Sequence, residues 1–209
     1  MYGWRGRIGL LVPSINTTME TEFWRLAPAG ISVHSARIAG GRHGTPEELR
    51  SMENASKKAA EEVAMVEPDV VVYGCTSGSF FEGPEWNKKI CAQLSAITKA
   101  PTVTTAGAMA ECLMAAGHKK VDVVTPYVEL TNERLKQFLK AHGIDVVTLG
   151  TFDMLERDLG KPVYSAVQAS AWQAYAAMAV DPKIADCGSL LRGLSEPGAK
   201  KQTPLRRSA

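Results

Sequence analysis

Long hydrophobic runs are missing from this sequence of 209 residues. No apolar stretch approaches the ~18 residues that a membrane-spanning helix needs. The N-terminal segment MYGWRGRIGLLVP has too short an apolar run, and no small-residue cleavage site, for a signal peptide. These absences predict a cytoplasmic protein that has no membrane partner.

Metal-binding residues are also scarce. The four cysteines, Cys75, Cys91, Cys112 and Cys187, lack the paired spacing of zinc sites, and the four histidines lie apart. The glycine-rich segment GGRHG lacks the G-x-G-x-x-G pattern of dinucleotide-binding loops. The sequence therefore predicts free thiols and neither a metal nor another cofactor.

Charge is nearly balanced, with a formal net charge of +2, but it is unevenly distributed. Residues 188–209 contain five basic residues and one acidic residue, and no aromatic residue. A basic tail can bind nucleic acid, but without aromatics or a motif this one is predicted to be a solvated or disordered end. No nucleic-acid partner is expected.

Apolar segments alternate with segments of helical periodicity along the chain. This alternation is typical of an α/β protein with parallel sheets that are covered by helices. The predicted strands are 7–13, 30–38, 69–75, 101–105, 120–126 and 144–150, and the predicted helices are 16–26, 45–66, 84–99, 106–116, 129–142 and 162–180.

The same order of elements recurs at a nearly constant offset. Pro13 and Pro126 are 113 residues apart, and the strands that follow begin 113 residues apart. The helices at 45–66 and 162–180 continue the match at an offset of 116, and Cys75 and Cys187 are 112 apart. We predict two similar Rossmann-like lobes, 1–117 and 118–187, followed by the tail 188–209.

Cys75 lies at the end of a predicted buried strand, in VVYGCTSGSF. Ligands of parallel sheets bind beyond the carboxyl ends of the strands, where Thr76, Ser77 and the amides of the turn are predicted to bind an anion. Such amides are expected to lower the thiol pKa from ~8.5. If Cys187 faces Cys75, the pair can move an α-proton between two faces, or one thiolate can add to an electron-poor double bond. The structural alternative is a core cysteine, as we predict for Cys91 and Cys112.

Three motifs resemble the aspartate/glutamate racemase superfamily, and within it the maleate cis-trans isomerases, with arylmalonate decarboxylases nearby. They are VPSINTTMETEF, YGCTSGSFFEG and VTPYVELTNERL, and the resemblance covers about residues 6–186. It implies two α/β lobes with pseudo-twofold symmetry, a small dicarboxylate substrate, no cofactor or metal, and a homodimer.

The resemblance also implies roles for individual residues. Cys75 would be the first catalytic cysteine and would add to the double bond of maleate to give fumarate. Asn16 and Tyr127 match carboxylate-binding positions, although each has a structural alternative as a helix cap or a surface turn residue. The same anion-binding turns contain Ser14, Thr76 and Ser77. An amino-acid racemase, an arylmalonate decarboxylase and a catalytically defective carboxylate-binding relative remain alternatives.

The second lobe departs from the family pattern. DPKIADC is two residues shorter than EPDVVVYGC between its proline and its cysteine, and it lacks the apolar run. Nothing after Cys187 supplies the helices and strand that follow Cys75. We therefore expect a second lobe that is incomplete at the C-terminus. Two interpretations of Cys187 stay open: it is the second catalytic cysteine, or the chain beyond Asp186 no longer follows the fold.

Overall fold

The computed structural model describes residues 2–40, 45–125, 127–150 and 164–181. Six strands and seven helices lie within these ranges. They are β1 (Gly6–Pro13), α1 (Met19–Leu26), β2 (Ile31–Ile38), α2 (Pro46–Ala64), β3 (Val70–Tyr73), α3 (Thr76–Phe80), α4 (Pro84–Thr98), β4 (Thr102–Thr104), α5 (Thr105–Ala115), β5 (Lys120–Val124), α6 (Glu129–Ala141), β6 (Asp145–Gly150) and α7 (Ala166–Ala177).

The first sheet has four parallel strands in the order β2-β1-β3-β4. Leu11 of β1 lies beside Tyr73 of β3, so the two strands end at the same edge. The prediction of an α/β fold with parallel sheets is confirmed. Because the carboxyl ends of β1 and β3 are neighbours, the segments that follow them, from Ser14 and from Gly74, are brought together.

Both faces of the first sheet are covered, which explains why its strands are nearly continuous apolar runs. Ile8, Leu10 and Val12 of β1 face a core formed with α1 and α7, whereas Leu11 faces a second core with α2 and α4. The N-terminus of α2 is capped as predicted, because the Thr45 side chain accepts a hydrogen bond from the Glu48 backbone N–H at 3.2 Å.

The second sheet has only two described strands, β5 and β6, which pair in parallel with an irregularity between Val121 and Asp122. One side of it packs against α6 and α5 in a third core that includes Phe138 and Ile144. Other positions remain open to solvent, since Val147 of β6 is 65% exposed.

Helix α7 packs against β3 and β4 of the first sheet and against helices α1 and α5. The buried Tyr175 hydroxyl donates a hydrogen bond to the backbone carbonyl of Leu26 at 2.8 Å, which ties α7 to the end of α1. The repeat alignment instead pairs α7 with α2, which packs against α4 and β2. That part of the alignment is therefore wrong, because the two helices cover different surfaces.

Several predictions lie beyond what this structure tests. Cys187 and the tail 188–209 fall outside the described residues. The lobe boundaries and the pseudo-twofold symmetry stay predictions. Within the described ranges, none of the helices combines the length and the hydrophobicity that a membrane span requires.

Candidate active site

Cys75 lies where β3 gives way to the short helix α3, and it occupies the N-cap position of that helix in an extended conformation. Gly74 makes this position possible. Its backbone N–H donates to the carbonyl of Leu11 at 2.7 Å, and a Cβ atom placed on it would lie 2.6 Å from the Met19 sulfur and 2.8 Å from that carbonyl oxygen. A side chain at residue 74 would therefore collide with the backbone of β1 as well as with the Met19 side chain.

Cys75 is buried, with 6% of the residue exposed. Burial raises its pKa, while the backbone N–H of Gly78 and the Ser77 hydroxyl, whose oxygen lies 4.0 Å from the sulfur, offset part of the rise. The expected lowering of the thiol pKa is therefore wrong in its net direction. The reason is that desolvation of the buried sulfur outweighs the two donors that favour the thiolate.

Tyr127 reaches the same place from the second sheet, since it follows β5. Burial and then the negative charge of the Cys75 thiolate raise the pKa of the Tyr127 phenol to about 12, and a side-chain hydrogen bond with Thr76 partly offsets this. Its ring contacts Phe80 of α3 edge to face, with centroids 5.9 Å apart. The structure thus brings Tyr127, Thr76 and Cys75 together and keeps the phenol as a neutral donor.

The loop that holds Tyr127 is fixed by two neighbours that the sequence analysis did not identify. The Tyr127 backbone N–H donates to Thr125 Oγ1 at 3.2 Å, and Thr125 Oγ1 donates to Asn132 Oδ1 at 2.6 Å. Asn132 Nδ2 in turn donates to the Tyr127 carbonyl at 3.0 Å. The sequence signal for these two residues was the presence of polar side chains at 125 and 132, on both sides of Tyr127. Buried polar groups are seldom left unpaired, so such side chains near a strand end indicate hydrogen bonds within the loop.

Asn16 and Ser14 lie on the neighbouring strand end. Asn16 Oδ1 accepts hydrogen bonds from the backbone N–H groups of Thr18 and Met19 at 3.0 and 2.9 Å, in the turn that leads into α1. The N-cap position of α1 itself is Thr18, so the prediction that Asn16 caps the helix stays a prediction. With Oδ1 engaged in this way, only the amide N–H donors remain to meet a carboxylate. The Ser14 hydroxyl instead donates to the carbonyl of Ile38 at 3.0 Å, and its proton is therefore not directed to a ligand.

Tyr73 and Gly78 are further neighbours of the thiol. Tyr73 lies two residues before Cys75 in the strand direction, and burial, followed by the charge of Cys75 and then of Glu53, raises its pKa well above the usual value. A Cβ atom on Gly78 would lie 2.9 Å from both the Cys75 sulfur and the Tyr73 hydroxyl oxygen. A cavity of about 490 Å³ opens beside Gly78, between residues of α2 and α4.

This arrangement combines one buried thiol with a set of neutral hydrogen-bond donors. Such donors stabilise negative charge that develops on a carboxylate oxygen, and the thiolate is a nucleophile for an electron-poor double bond.

Cys112 is buried, as predicted, while Cys91 is only half-buried in α4. Among the residues that the structure describes, no three His, Cys, Asp or Glu side chains are grouped to hold a metal ion. The predictions of no metal and no cofactor stay predictions.

Comparison with known proteins gives concordant matches. The family described as arylmalonate decarboxylase matches residues 8–156. A maleate isomerase from Alcaligenes faecalis is 33% identical over 172 residues, which are 75% of this chain and 68% of that protein. The crystal structure of the maleate isomerase Iso from Pseudomonas putida S16, in a variant with maleate, matches with a TM-score of 0.82 and 26% identity, covering 90% of this chain and 98% of that one.

A Nocardia farcinica maleate cis-trans isomerase mutant, which carries a covalently bound succinylcysteine intermediate, matches with a TM-score of 0.81 over 90% of this chain and 98% of that one. Because the identity is 24%, this match supports the fold alone.

Proposed function

Since the chain belongs to the arylmalonate decarboxylase family, in which its relatives include maleate isomerases, we propose that it isomerises maleate to fumarate through Cys75. The observation that carries the proposal is the juxtaposition of the Cys75 sulfur with the Tyr127 and Thr76 hydroxyl groups at one strand end. A nucleophile and donors for a carboxylate are the two requirements of addition to an unsaturated diacid.

The reaction proceeds by addition, rotation and elimination. The Cys75 thiolate forms a C–S bond with one carbon of the double bond, and the π electron pair moves onto the carboxylate attached to the other carbon. The bond between the two carbons is then single and rotates. The electron pair returns, the C–S bond breaks, and fumarate leaves with the thiolate regenerated.

The donors around Cys75 have distinct tasks. Tyr127 and Thr76 donate to the carboxylate that receives the electron pair, where negative charge increases during the addition. The side chain of Ser77 and the N–H of Gly78 lie beside the sulfur and favour its charged form. Asn16 is proposed to bind the other carboxylate through its amide N–H groups. Ser14 is proposed only to shape this turn, since its hydroxyl is engaged by Ile38.

The direct test is proton NMR of the purified chain with maleate. We expect the vinyl signal of maleate to be replaced by that of fumarate, and Cys75→Ser to abolish the conversion. Cys91→Ser is the matched control, because Cys91 lies in α4 and should leave the rate unchanged. Full activity in the Cys75→Ser variant would contradict the mechanism.

Arylmalonate decarboxylation is the second candidate, because the matching family is described by that activity. Phenylmalonate in the same NMR assay distinguishes it, since decarboxylation releases carbon dioxide and gives phenylacetate. Aspartate and glutamate test for a racemase through exchange of the α-proton with deuterium. A folded chain that binds maleate and converts none of these substrates would be the defective relative.

We also propose that the chain works as a homodimer in the cytoplasm. The first part follows from the family resemblance, and the second from the sequence features described above. Light scattering coupled to size-exclusion chromatography tests the dimer, because a mass near 22.5 kDa would show a monomer.

A further inference from the structure

We infer that a cavity beside the strand β4 binds a small primary ammonium compound. The cavity has a volume of about 490 Å³, which lies within the ~300–1,000 Å³ of small-molecule pockets. Its polar lining residues include Asn87 and Cys91 of α4, Thr102 of β4, Glu111 of α5 and Gln173 of α7. None of these residues belongs to the proposed active site, so the inference goes beyond the proposed function and does not depend on it.

The cavity runs along the edge of the first sheet. Strand β4 is the last strand in that sheet, and among the described strands it pairs only with β3. All three of its residues, Thr102–Thr104, line the cavity. Successive side chains of a strand point to opposite faces of a sheet, so a cavity that contacts three in a row lies at the edge. Helix α4 forms one wall, and α5 and α7 form the other.

Two buried oxygen atoms belong to residues of this lining and lack a partner. Thr102 Oγ1 and Gln173 Oε1 accept and donate no hydrogen bond within the described part of the chain. Thr102 and Gln173 are each only 9% exposed. A buried polar group without a hydrogen bond is costly, and native structures seldom contain one. Both oxygens are therefore suited to accept hydrogen bonds from a ligand.

The orientation of the Gln173 amide follows from its neighbour Glu111. Gln173 Nε2 donates a hydrogen bond to Glu111 Oε2. A carboxylate only accepts hydrogen bonds, so the nitrogen of the amide must face it and the oxygen must face away. Glu111 itself is exposed, which places its charge where the cavity opens to solvent. The same contact thus leaves an amide oxygen inside the cavity and a negative charge at its mouth.

The other polar groups of the lining add no positive charge. Asn87 Nδ2 donates to the Ser79 carbonyl at 3.0 Å and to Thr104 Oγ1 at 2.7 Å, so only the Asn87 oxygen is left to meet a ligand. Burial, followed by the charge of Glu111, raises the pKa of Cys91 to about 11, so this thiol is neutral at pH 7. Among the described lining residues there is no Lys, Arg or His. The cavity therefore presents oxygen acceptors and one negative charge.

A primary ammonium group matches this set of acceptors. It carries one positive charge and three N–H donors, which correspond to the carboxylate of Glu111 and the two unpartnered oxygens of Thr102 and Gln173. Ala176 and Ala177 supply apolar surface for a short alkyl chain. A calcium ion fits less well, because it takes six to eight oxygen ligands and usually several carboxylates, whereas the described lining has one carboxylate.

The binding test is an NMR titration of the ¹⁵N-labelled full chain with n-butylammonium chloride. We expect saturable shifts that include the Gln173 side-chain amide, with a dissociation constant of about 1–10 mM for a ligand of this size. Tetramethylammonium chloride has the charge without N–H donors, and 1-butanol has the alkyl chain without the charge. Both should bind at least about threefold more weakly. Equal binding of either control, or no saturable shift with n-butylammonium, would overturn the inference.

Two variants identify the acceptors. Glu111→Gln removes the charge and should weaken n-butylammonium binding about three- to tenfold, whereas Glu61→Gln, exposed on α2 and outside the cavity, should leave it unchanged. Thr102→Val keeps the shape and should weaken binding by a similar factor. Unchanged affinity in both cavity variants would overturn the inference.

Thermal unfolding without ligand gives an independent readout at Thr102. Because the Thr102 hydroxyl has no partner in the described protein, Thr102→Val should not lower the Tm. A clear fall in Tm would show that water already satisfies this hydroxyl, and it would overturn the inference. Saturable shifts of the same signals with calcium chloride alone, and none with n-butylammonium, would do the same. Conversion of maleate plays no part in these measurements, so the proposed function is tested separately.

Discussion

The two sheets of the molecule differ in how completely they are covered. In the first sheet, every residue of β3 is buried and β1 has buried residues along nearly its whole length. In the second sheet, β5 has no fully buried residue, and Val147 of β6 is mostly exposed. The first sheet is therefore covered on both faces, with α7 from the second half on one of them, while the described second sheet packs against α5 and α6.

This difference divides the site between a rigid part and a part that depends on local hydrogen bonds. Cys75, Thr76 and Ser77 continue directly from a buried strand, so the surrounding core fixes them. Tyr127 follows a partly exposed strand and is positioned by Thr125 and Asn132. In the proposed mechanism, the first half supplies the nucleophile, and the second half supplies a donor that a few polar contacts hold in place.

Replacing Tyr127 with Phe tests what the second half contributes to the reaction. The variant removes the phenol donor and keeps the ring against Phe80. We expect kcat to fall by about 10²–10³-fold, as for loss of a donor to a developing oxyanion. Steady-state assay of fumarate formation measures the effect. Tyr2→Phe, at an exposed position, is the control, and an unchanged kcat in Tyr127→Phe would show that the first half acts alone.

Substituting Asn132 with Ala tests how the second half holds its donor. The change removes the acceptor of the Thr125 hydroxyl and the donor to the Tyr127 carbonyl, so the loop should shift. We expect activity to fall by roughly tenfold and up to ~10²-fold, because small misplacements are costly, and stability to fall by about 1–3 kcal/mol. Urea unfolding separates the two effects. Retention of full activity despite lost stability would show that Tyr127 is positioned by its ring contact.

Alkaline pH should lower the stability of the folded chain through buried cysteines that all lie in its first half. Burial raises the pKa of Cys91 to about 11, with a further contribution from Glu111, and that of Cys112 to about 12, and it also raises that of Cys75. An unfolded cysteine titrates near ~8.5. Above that pH the unfolded chain loses protons that the folded chain keeps, so stability falls as pH rises towards 11. Thermal unfolding between pH 8 and 10 measures this, and Cys91→Ala should reduce the slope. A Tm independent of pH would contradict the expectation.

A pair of conservative substitutions gives the smallest effects and compares the two sheets directly. Tyr175→Phe leaves the buried Leu26 carbonyl without this donor and should cost about 1–3 kcal/mol. Val147→Thr, on the exposed side of β6, should change the free energy of unfolding by no more than ~0.5 kcal/mol. Equal costs for the two variants would show that the second sheet is covered in solution, for instance by a second copy of the chain.

Local features of the sequence predicted much of the fold and part of the site. The apolar runs around β1 and β3, and the Thr45-Pro46 start of α2, contain the signals that define those elements. Cys75 and Tyr127 were found from strand ends and from the family resemblance. These signals act within a few residues, which is why a single sequence reveals them.

Long-range features could not be predicted in the same way. Helix α7 is buried on nearly all sides, so it lacks the amphipathic periodicity that would indicate its partner. The direction of the Cys75 pKa shift depends on how deeply the thiol is buried relative to the Gly78 and Ser77 donors. The Ser14 hydroxyl could be assigned to an anion from its turn, but its actual acceptor, Ile38, belongs to another strand.

The packing of α7 on the first sheet has a consequence for synthesis on the ribosome. The face of β1 that contains Leu10 is covered only in part, by α1 and α5, until α7 has emerged, long after α5 ends at Ala115. At ~5–20 residues per second, the interval from Ala115 to Ala177 lasts about 3–12 s. During that time the nascent chain exposes the part of this apolar face that α7 later covers, which makes it a client for chaperones and a target for aggregation. A slow stretch of codons between α5 and α7 should therefore lower the soluble yield without changing the finished protein.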